Sequence, residues 1–285
     1  MRLLPALAGL LGFSLPAWAE PDVEHGRYLL HAGGCVTCHT REDAPEGAFL
    51  AGGRALETPF GTFYTPNITP DPETGIGTWS DADFIRAFRE GLSPEGDHYY
   101  PAFPYPSYTG ITDSDLLDLK AYLFSLEPVR SPRRAHDLSW YTFRFTLGGW
   151  KWLHFEPGPY RPDPGRDEQW NRGAYLVRHL GHCGECHTPR TWTGGLDREH
   201  DLAGNPEGPE GGRVPNLTPH ESGLDGWSVD DITLVLELGM LPDGDFVGGS
   251  MSEVVDDNTS QLTPADREAI AVYLRSLPPR PDPEE

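Results

Sequence analysis

The chain has 285 residues, enough for one large or two modest cores, with 37% hydrophobic and 23% charged residues. Its 33 glycines and 29 prolines predict many loops and exclude long coiled coils and helical repeats. With 44 acidic against 22 basic side chains the formal charge is -22, which repels phosphate backbones and anionic lipid headgroups and disfavours nucleic-acid binding.

Residues 1–19 read as an export segment. Met1 and Arg2 supply a positive start, Leu3 to Leu15 is an apolar run broken by Pro5, and Ala17-Trp18-Ala19 has the small-x-small pattern of a signal-peptidase site. Cleavage after Ala19 and a periplasmic destination are expected. The run is shorter than the ~20 residues of a spanning helix, and no later stretch qualifies as one.

The first chemical signal is Cys35-Val36-Thr37-Cys38-His39, and it recurs as Cys183-Gly184-Glu185-Cys186-His187, with no cysteine left over. Two thiols three positions apart can each form a thioether to a former vinyl group of a porphyrin, and the adjoining histidine then falls under the iron as proximal ligand. Each motif is therefore expected to hold one haem c covalently. A four-cysteine zinc site does not require a histidine after each second cysteine. Thioredoxin-like motifs need a βαβ context. Two local disulfides, the ordinary choice in an exported chain, leave both histidines unexplained.

Further along, Asp81 to Glu90 reads as a helix stopped by Gly91, and Thr112 with Asp115 caps a second whose Leu116, Leu119, Leu123 and Leu126 share one face. Residues 127–170 are rich in aromatics, including Trp140, Phe145, Trp150 and Trp152, and carry a slight excess of bases. They are expected to form an ordered strap between two halves, with a partner-docking surface around Trp140 to Phe155 as the alternative.

The second half repeats the first. Gly26-Arg27-Tyr28-Leu29 matches Gly173-Ala174-Tyr175-Leu176, Pro66-Asn67-Ile68-Thr69-Pro70 matches Pro215-Asn216-Leu217-Thr218-Pro219, and Gly91 matches Gly239. A helix is expected over Val229 to Leu238, and another from Thr263 and Pro264 with Ile270, Tyr273, Leu274 and Leu277 as its stripe.

A six-coordinate haem needs a second axial ligand, and a thioether sulfur is a common one. Met251, in the glycine-rich loop Gly248-Gly249-Ser250-Met251, is expected to serve the second haem, with Met240 read as packing. The spacing from His187 to Met251 leads from His39 to Phe103, which cannot ligate iron. His98 is the nearest substitute for the first haem. Tyr99 or Tyr100, the more distant His136 or His154, and a five-coordinate iron remain open. His25, His31, His179, His182, His200 and His220 are expected at the surface or at haem edges.

These motifs together resemble the multihaem cytochrome c subunits that accept electrons from periplasmic or membrane-associated dehydrogenases of alcohols, aldehydes and N-heterocycles. The resemblance rests on Gly-x-Tyr-Leu before each C-x-x-C-H, Asn-(Ile/Leu)-Thr-Pro in each copy, the loop Tyr100-Pro101-Ala102-Phe103-Pro104-Tyr105, and Gly248 to Met251. Such subunits commonly offer methionine where Phe103 stands, and often carry a third haem motif. For the fold, the resemblance implies an all-α chain of two tandem cytochrome c domains, 20–126 and 171–285. The function then expected is electron transfer from a dehydrogenase to another cytochrome or terminal oxidase. The acidic surface predicts basic docking patches on those partners and association that weakens with salt, with adaptation to a salty environment as the other reading of the charge. The alternative is a haem enzyme with an open site at the first iron.

Overall fold

The computed structural model describes residues 20–283 except 42, 44, 46, 209 and 210, so the expected export segment, residues 1–19, lies outside the described residues. Helix α1, Val23–Ala32, starts where the Asp22 carboxylate accepts from the amides of Glu24 and His25. Gly34, with φ 66, turns the chain into α2, Cys35–His39.

A hairpin follows, with β1 at Ala55–Thr58 and β2 at Gly61–Tyr64, and Leu56 opposite Phe63. The short strand β3, Asp137–Leu138, pairs with the other edge of β2. This three-stranded sheet corrects the all-α expectation. The hairpin part is encoded locally, with threonine and aromatic residues flanking Pro59-Phe60-Gly61 and Gly61 at φ 112, while β3 arrives from residues 137 and 138. A Cβ on Gly61 would sit 2.5 Å from the carbonyl oxygen of Asp137, so only glycine lets β3 approach.

Helix α3, Asp81–Glu90, opens on a reciprocal capping box between Ser80 and Asp83 and ends at left-handed Gly91. After the single turn α4, Tyr105–Tyr108, Thr112 caps α5, Asp113–Ser125, by accepting from the amide of Asp115. Residues 127–170 contain α6, Leu147–His154. In the second copy α7, Glu168–Tyr175, runs on through a π-helical turn at residues 176–180 to α8, Gly184–His187. Helix α9, Val229–Leu238, has the same capping box, Ser228 with Asp231, and the same left-handed stop, Gly239. Then come α10, Ser250–Asp257, and α11, Pro264–Arg275, capped by Thr263.

In each copy the first helix crosses the last at a glycine. A Cβ on Gly26 would lie 2.0 Å from the carbonyl oxygen of Asp118 on α5, and one on Gly173 would lie 2.0 Å from that of Ala269 on α11. Leu29, Leu30, Leu116 and Leu119 from the first copy and Leu176, Leu180, Ile270 and Leu274 from the second belong to one continuous core.

The two copies exchange polar contacts across that core in a reciprocal pattern. Tyr28 on α1 donates to Asp266 on α11, where Arg172 also donates at 2.8 and 2.7 Å; Tyr175 on α7 donates to Asp115 on α5 at 2.5 Å. Burial pushes the Asp266 carboxyl up, but the hydrogen bonds from Arg172 and Tyr28 outweigh it and hold the group below its ordinary range. Its contribution to stability is therefore present above the ordinary carboxylate pKa and is lost as the pH falls through the lowered value.

The segment between the copies touches both. Asn67 donates to the carbonyl of Val129 at 2.7 Å, and Lys151 on α6 donates to the carbonyls of Glu90 and Gly91, closing the end of α3. Trp150 Nε1 donates to the carbonyl of Thr193, and the Tyr160 ring packs against Tyr175 and His179. Trp140, Phe145 and Trp152 point away from these contacts, each more than 80% exposed.

The glycine crossings yield a test. Gly26→Ala and Gly173→Ala should each lower the stability of the holoprotein by ~2–3 kcal/mol through overpacking against backbone, read as a lower urea midpoint. A substitution to alanine on the exposed face, such as Ser114→Ala, should leave it within ~0.5 kcal/mol.

Candidate haem centres

The helical turn of α2 puts Cys35 and Cys38 on one face, three positions apart, with His39 next in line. Cys183, Cys186 and His187 repeat the arrangement at α8. All four cysteines are free thiols. Burial pushes Cys35 and Cys183 up to about 12 and Cys186 up to about 11, and raises Cys38 as well, so they stand as protonated thiols rather than thiolates. Among the described residues these cysteines and histidines do not gather ligand atoms at a common point, as a zinc site requires. The cluster that does is His25, Asp115 and Asp118, where Asp118 already accepts from the amide of Asp22 and lies 2.8 Å from Nδ1 of His25.

Both motif histidines are held in one way. Nδ1 of His39 is 2.8 Å from the carbonyl oxygen of Pro66, and Nδ1 of His187 is 2.8 Å from that of Pro215. A carbonyl can only accept, so Nδ1 carries the proton and Nε2 keeps its lone pair. Burial pushes both imidazoles below their ordinary range, which keeps that lone pair free of a proton at neutral pH. Two thiols on one face, followed by an oriented imidazole presenting Nε2, are the donor set that a covalent haem needs.

The proline carbonyls are themselves clamped. Asn67 accepts from the amide and hydroxyl of Thr69 at 2.9 and 2.8 Å, and Asn216 does the same for Thr218 at 2.7 and 2.8 Å. The amide of Gly52 donates to the carbonyl of His39 and that of Gly204 to the carbonyl of His187. A Cβ on Gly52 would be 2.4 Å from Pro66, so this glycine is required by close approach. Sequence reasoning named the Asn-x-Thr-Pro segments without a role and missed both glycines. The signal was available in the repeated Leu-Ala-Gly of Leu50-Ala51-Gly52 and Leu202-Ala203-Gly204.

The expected second ligands occupy different surroundings. Met251 lies in the first turn of α10, entered through Gly249 in a backbone conformation with φ 58 and ψ -146. Helix α10 packs on α9 of its own copy and also on α2 of the other. There Glu253 meets Arg54 at 2.7 Å, and Arg54 donates to the carbonyl of Thr37. Phe103 is wedged between Phe88 and Tyr99, edge-on to both. His98 stands beside α6: its Nε2 is 3.6 Å from where a Cβ on Gly148 would be, and its Nδ1 is buried without a partner among the described residues. It lines a 470 Å³ cavity with Lys151, Arg89 and Phe155. The more distant candidates have partners elsewhere, His136 accepting from the amide of Tyr64 and His154 bonding the Thr193 hydroxyl.

Two of the histidines expected at the surface or at haem edges are half-buried and also make contacts within the protein. His179 lies 3.0 Å from the carbonyl of Ser107, and His182 packs its ring edge-on against Tyr108, both at the contact between the copies.

Comparison with known proteins agrees with this chemistry. The Cytochrome c family model matches residues 23–127. The chain is 46% identical over 290 residues to a diheme cytochrome c-type protein of Cereibacter sphaeroides, covering 96% of each. It is 40% identical over 290 residues to the cytochrome c subunit of alcohol dehydrogenase (quinone) from Gluconacetobacter polyoxogenes, with 97% of this chain spanning 61% of that one. It is 39% identical over 268 residues to the fructose dehydrogenase cytochrome subunit of Gluconobacter japonicus, with 92% spanning 54%. The chain thus matches nearly the whole of the first relative and only part of the other two. With the same thiol and imidazole arrangement built at both repeats and a full-length diheme relative, the chain belongs to the cytochrome c family, whose haem c is covalently bound.

Proposed function

We propose that the chain is a periplasmic diheme electron carrier that takes electrons from a dehydrogenase and passes them to a downstream cytochrome or terminal oxidase. The observation that carries this reading is the duplication of the whole proximal apparatus: thiols, imidazole, proline carbonyl and asparagine clamp occur in both copies. The two copies are read as tandem cytochrome c domains, residues 20–126 and 171–285, with 127–170 as the strap between them. Relatives named as dehydrogenase cytochrome subunits support the choice of donor.

Cys35, Cys38, Cys183 and Cys186 would hold the two haems by thioethers, and His39 and His187 would supply Nε2 from the proximal side. When bound, the haem supplies a one-electron iron couple. The chain's residues set its surroundings. The proline carbonyls orient the imidazoles and raise their basicity. Met251 is the proposed distal ligand in the second copy. In the first copy His98 is the proposed ligand, and its loop must carry the ring out of the niche beside Gly148 to reach iron. Phe103, standing where the second copy has Met251, is the observation that favours a second reading, a haem enzyme acting on peroxide or another small molecule at the first iron.

Haem counting tests the carrier's composition. The purified holoprotein should give two haems per chain by pyridine haemochrome, and Cys35→Ala with Cys38→Ala should lower this to one while leaving the second copy's spectrum unchanged. Low-temperature EPR of the oxidised protein separates the two readings. Two low-spin signals are expected; Met251→Ala should convert one of them to high spin and His98→Ala the other. A first haem that is high-spin in the unaltered protein would contradict the role of His98 and support the enzyme.

A further inference from the structure

The attachment segments of the two copies touch. Tyr108, on α4 of the first copy, is 6% exposed and donates its hydroxyl to the carbonyl of Gly33 at 2.5 Å, two residues before Cys35. The same ring meets the imidazole of His182 edge-on, with centroids 5.2 Å apart. His182 immediately precedes Cys183 and holds a left-handed backbone with φ 40, which is uncommon for a residue with a side chain. On its far side, Nε2 of His182 is 3.4 Å from where a Cβ on Gly34 would be, so the ring lies over the glycine that precedes Cys35.

Neighbouring contacts fix this arrangement from both sides. Ser107, next to Tyr108, donates to Glu185 inside the second motif at 2.6 Å. Thr37, inside the first motif, reaches Asp257 at 3.3 Å, and His31 reaches the carbonyl of Asp257 at 2.9 Å. Each copy thus lays one short helix, α4 in the first and α10 in the second, against the other copy's attachment motif.

We propose that Tyr108 and His182 form the electronic junction between the two haems. The inference rests on the two-haem reading. With both haems bound, a single electron would pass from one iron, which is oxidised, to the other, which is reduced, with no bond formed or broken. Thioethers would make Cys35 and Cys183 part of each macrocycle's covalent surroundings, so the contacts at Tyr108 and His182 would give a continuous connection on the protein side. It leaves Cys35 through Gly34 to the Gly33 carbonyl, crosses the hydrogen bond to the Tyr108 ring, and passes over the ring contact to His182 and Cys183. Burial pushes the Tyr108 phenol well above its ordinary range, so the hydroxyl stays a donor in its bond to Gly33. Neither residue ligates iron; both are positioning residues.

The test uses holoprotein shown to carry two haems, with one haem reduced by a light pulse and the equilibration followed at the α bands. Tyr108→Leu removes ring and hydroxyl. His182→Gly removes the imidazole at a backbone position that glycine adopts without strain and restores the residue found at Gly34 in the other copy. Both should slow inter-haem equilibration several-fold while leaving each haem's spin state and midpoint potential unchanged. Tyr108→Phe, which keeps the ring against His182, should recover part of the rate. Unchanged equilibration in Tyr108→Leu and His182→Gly would overturn the junction, as would a slowing wholly accounted for by shifted potentials. If Tyr108→Leu does not fold, His182→Gly decides alone. A single haem per chain would overturn the two-haem reading and the junction together.

Discussion

The hydrogen bond from each motif histidine to a proline carbonyl is the constraint around which the rest of each copy is arranged. It fixes the tautomer, so that Nε2 faces away from the bond with a lone pair. That geometry survives only if the carbonyl is held still, and three features hold it. Asn67 and Asn216 fold the following threonine back onto their side chains. The same asparagines donate to the carbonyls of Val129 and Arg280, in the chain leaving the last helix of each copy. Gly52 and Gly204 bring backbone close enough to bond the histidine's own carbonyl. A loop with no regular secondary structure is thereby tied at both ends to the helices that form the core.

The second organising feature is the reciprocity between the copies. Tyr28 reaches Asp266, and Tyr175 reaches Asp115, each tyrosine leaving the helix before its own motif to cap the last helix of the other copy. Self-complementary exchange of this kind is the pattern of an isologous interface, here within one chain. Departures from the symmetry are informative. Gly34 faces His182 where the copies meet, and Phe103 stands at the spacing of Met251, so the two copies share a scaffold but differ beside the motif and at the expected distal position.

Much of this was legible in the sequence because it is encoded locally. The threonine caps at Thr112 and Thr263, the glycine stops at Gly91 and Gly239, and the cysteine and histidine spacing all depend on neighbours within one or two turns. What was not legible depends on residues far apart. Gly-x-Tyr-Leu was visible as a repeat, yet the tyrosine's partner lies 238 positions away in the first copy. The sheet needed β3 from the segment between the copies, whose two residues carry no strand pattern of their own. His182 read as a surface or haem-edge residue, because nothing beside it announces that Tyr108 will arrive from the other copy.

Electron transfer in such a chain requires no acid, base or nucleophile. The protein's contribution is distance, orientation and exclusion of water. The half-buried cysteines, the lowered imidazoles and the continuous core through both copies are consistent with that division of labour. The exposed Trp140, Phe145 and Trp152 leave an apolar face on the connecting segment that the core does not use. The most direct measurement is a coulometric titration of the oxidised holoprotein under anaerobic conditions. A diheme carrier takes up two electrons per chain, returns them quantitatively to an added acceptor, and does not consume peroxide. Uptake of a single electron, or steady peroxide consumption by the isolated chain, would contradict the account.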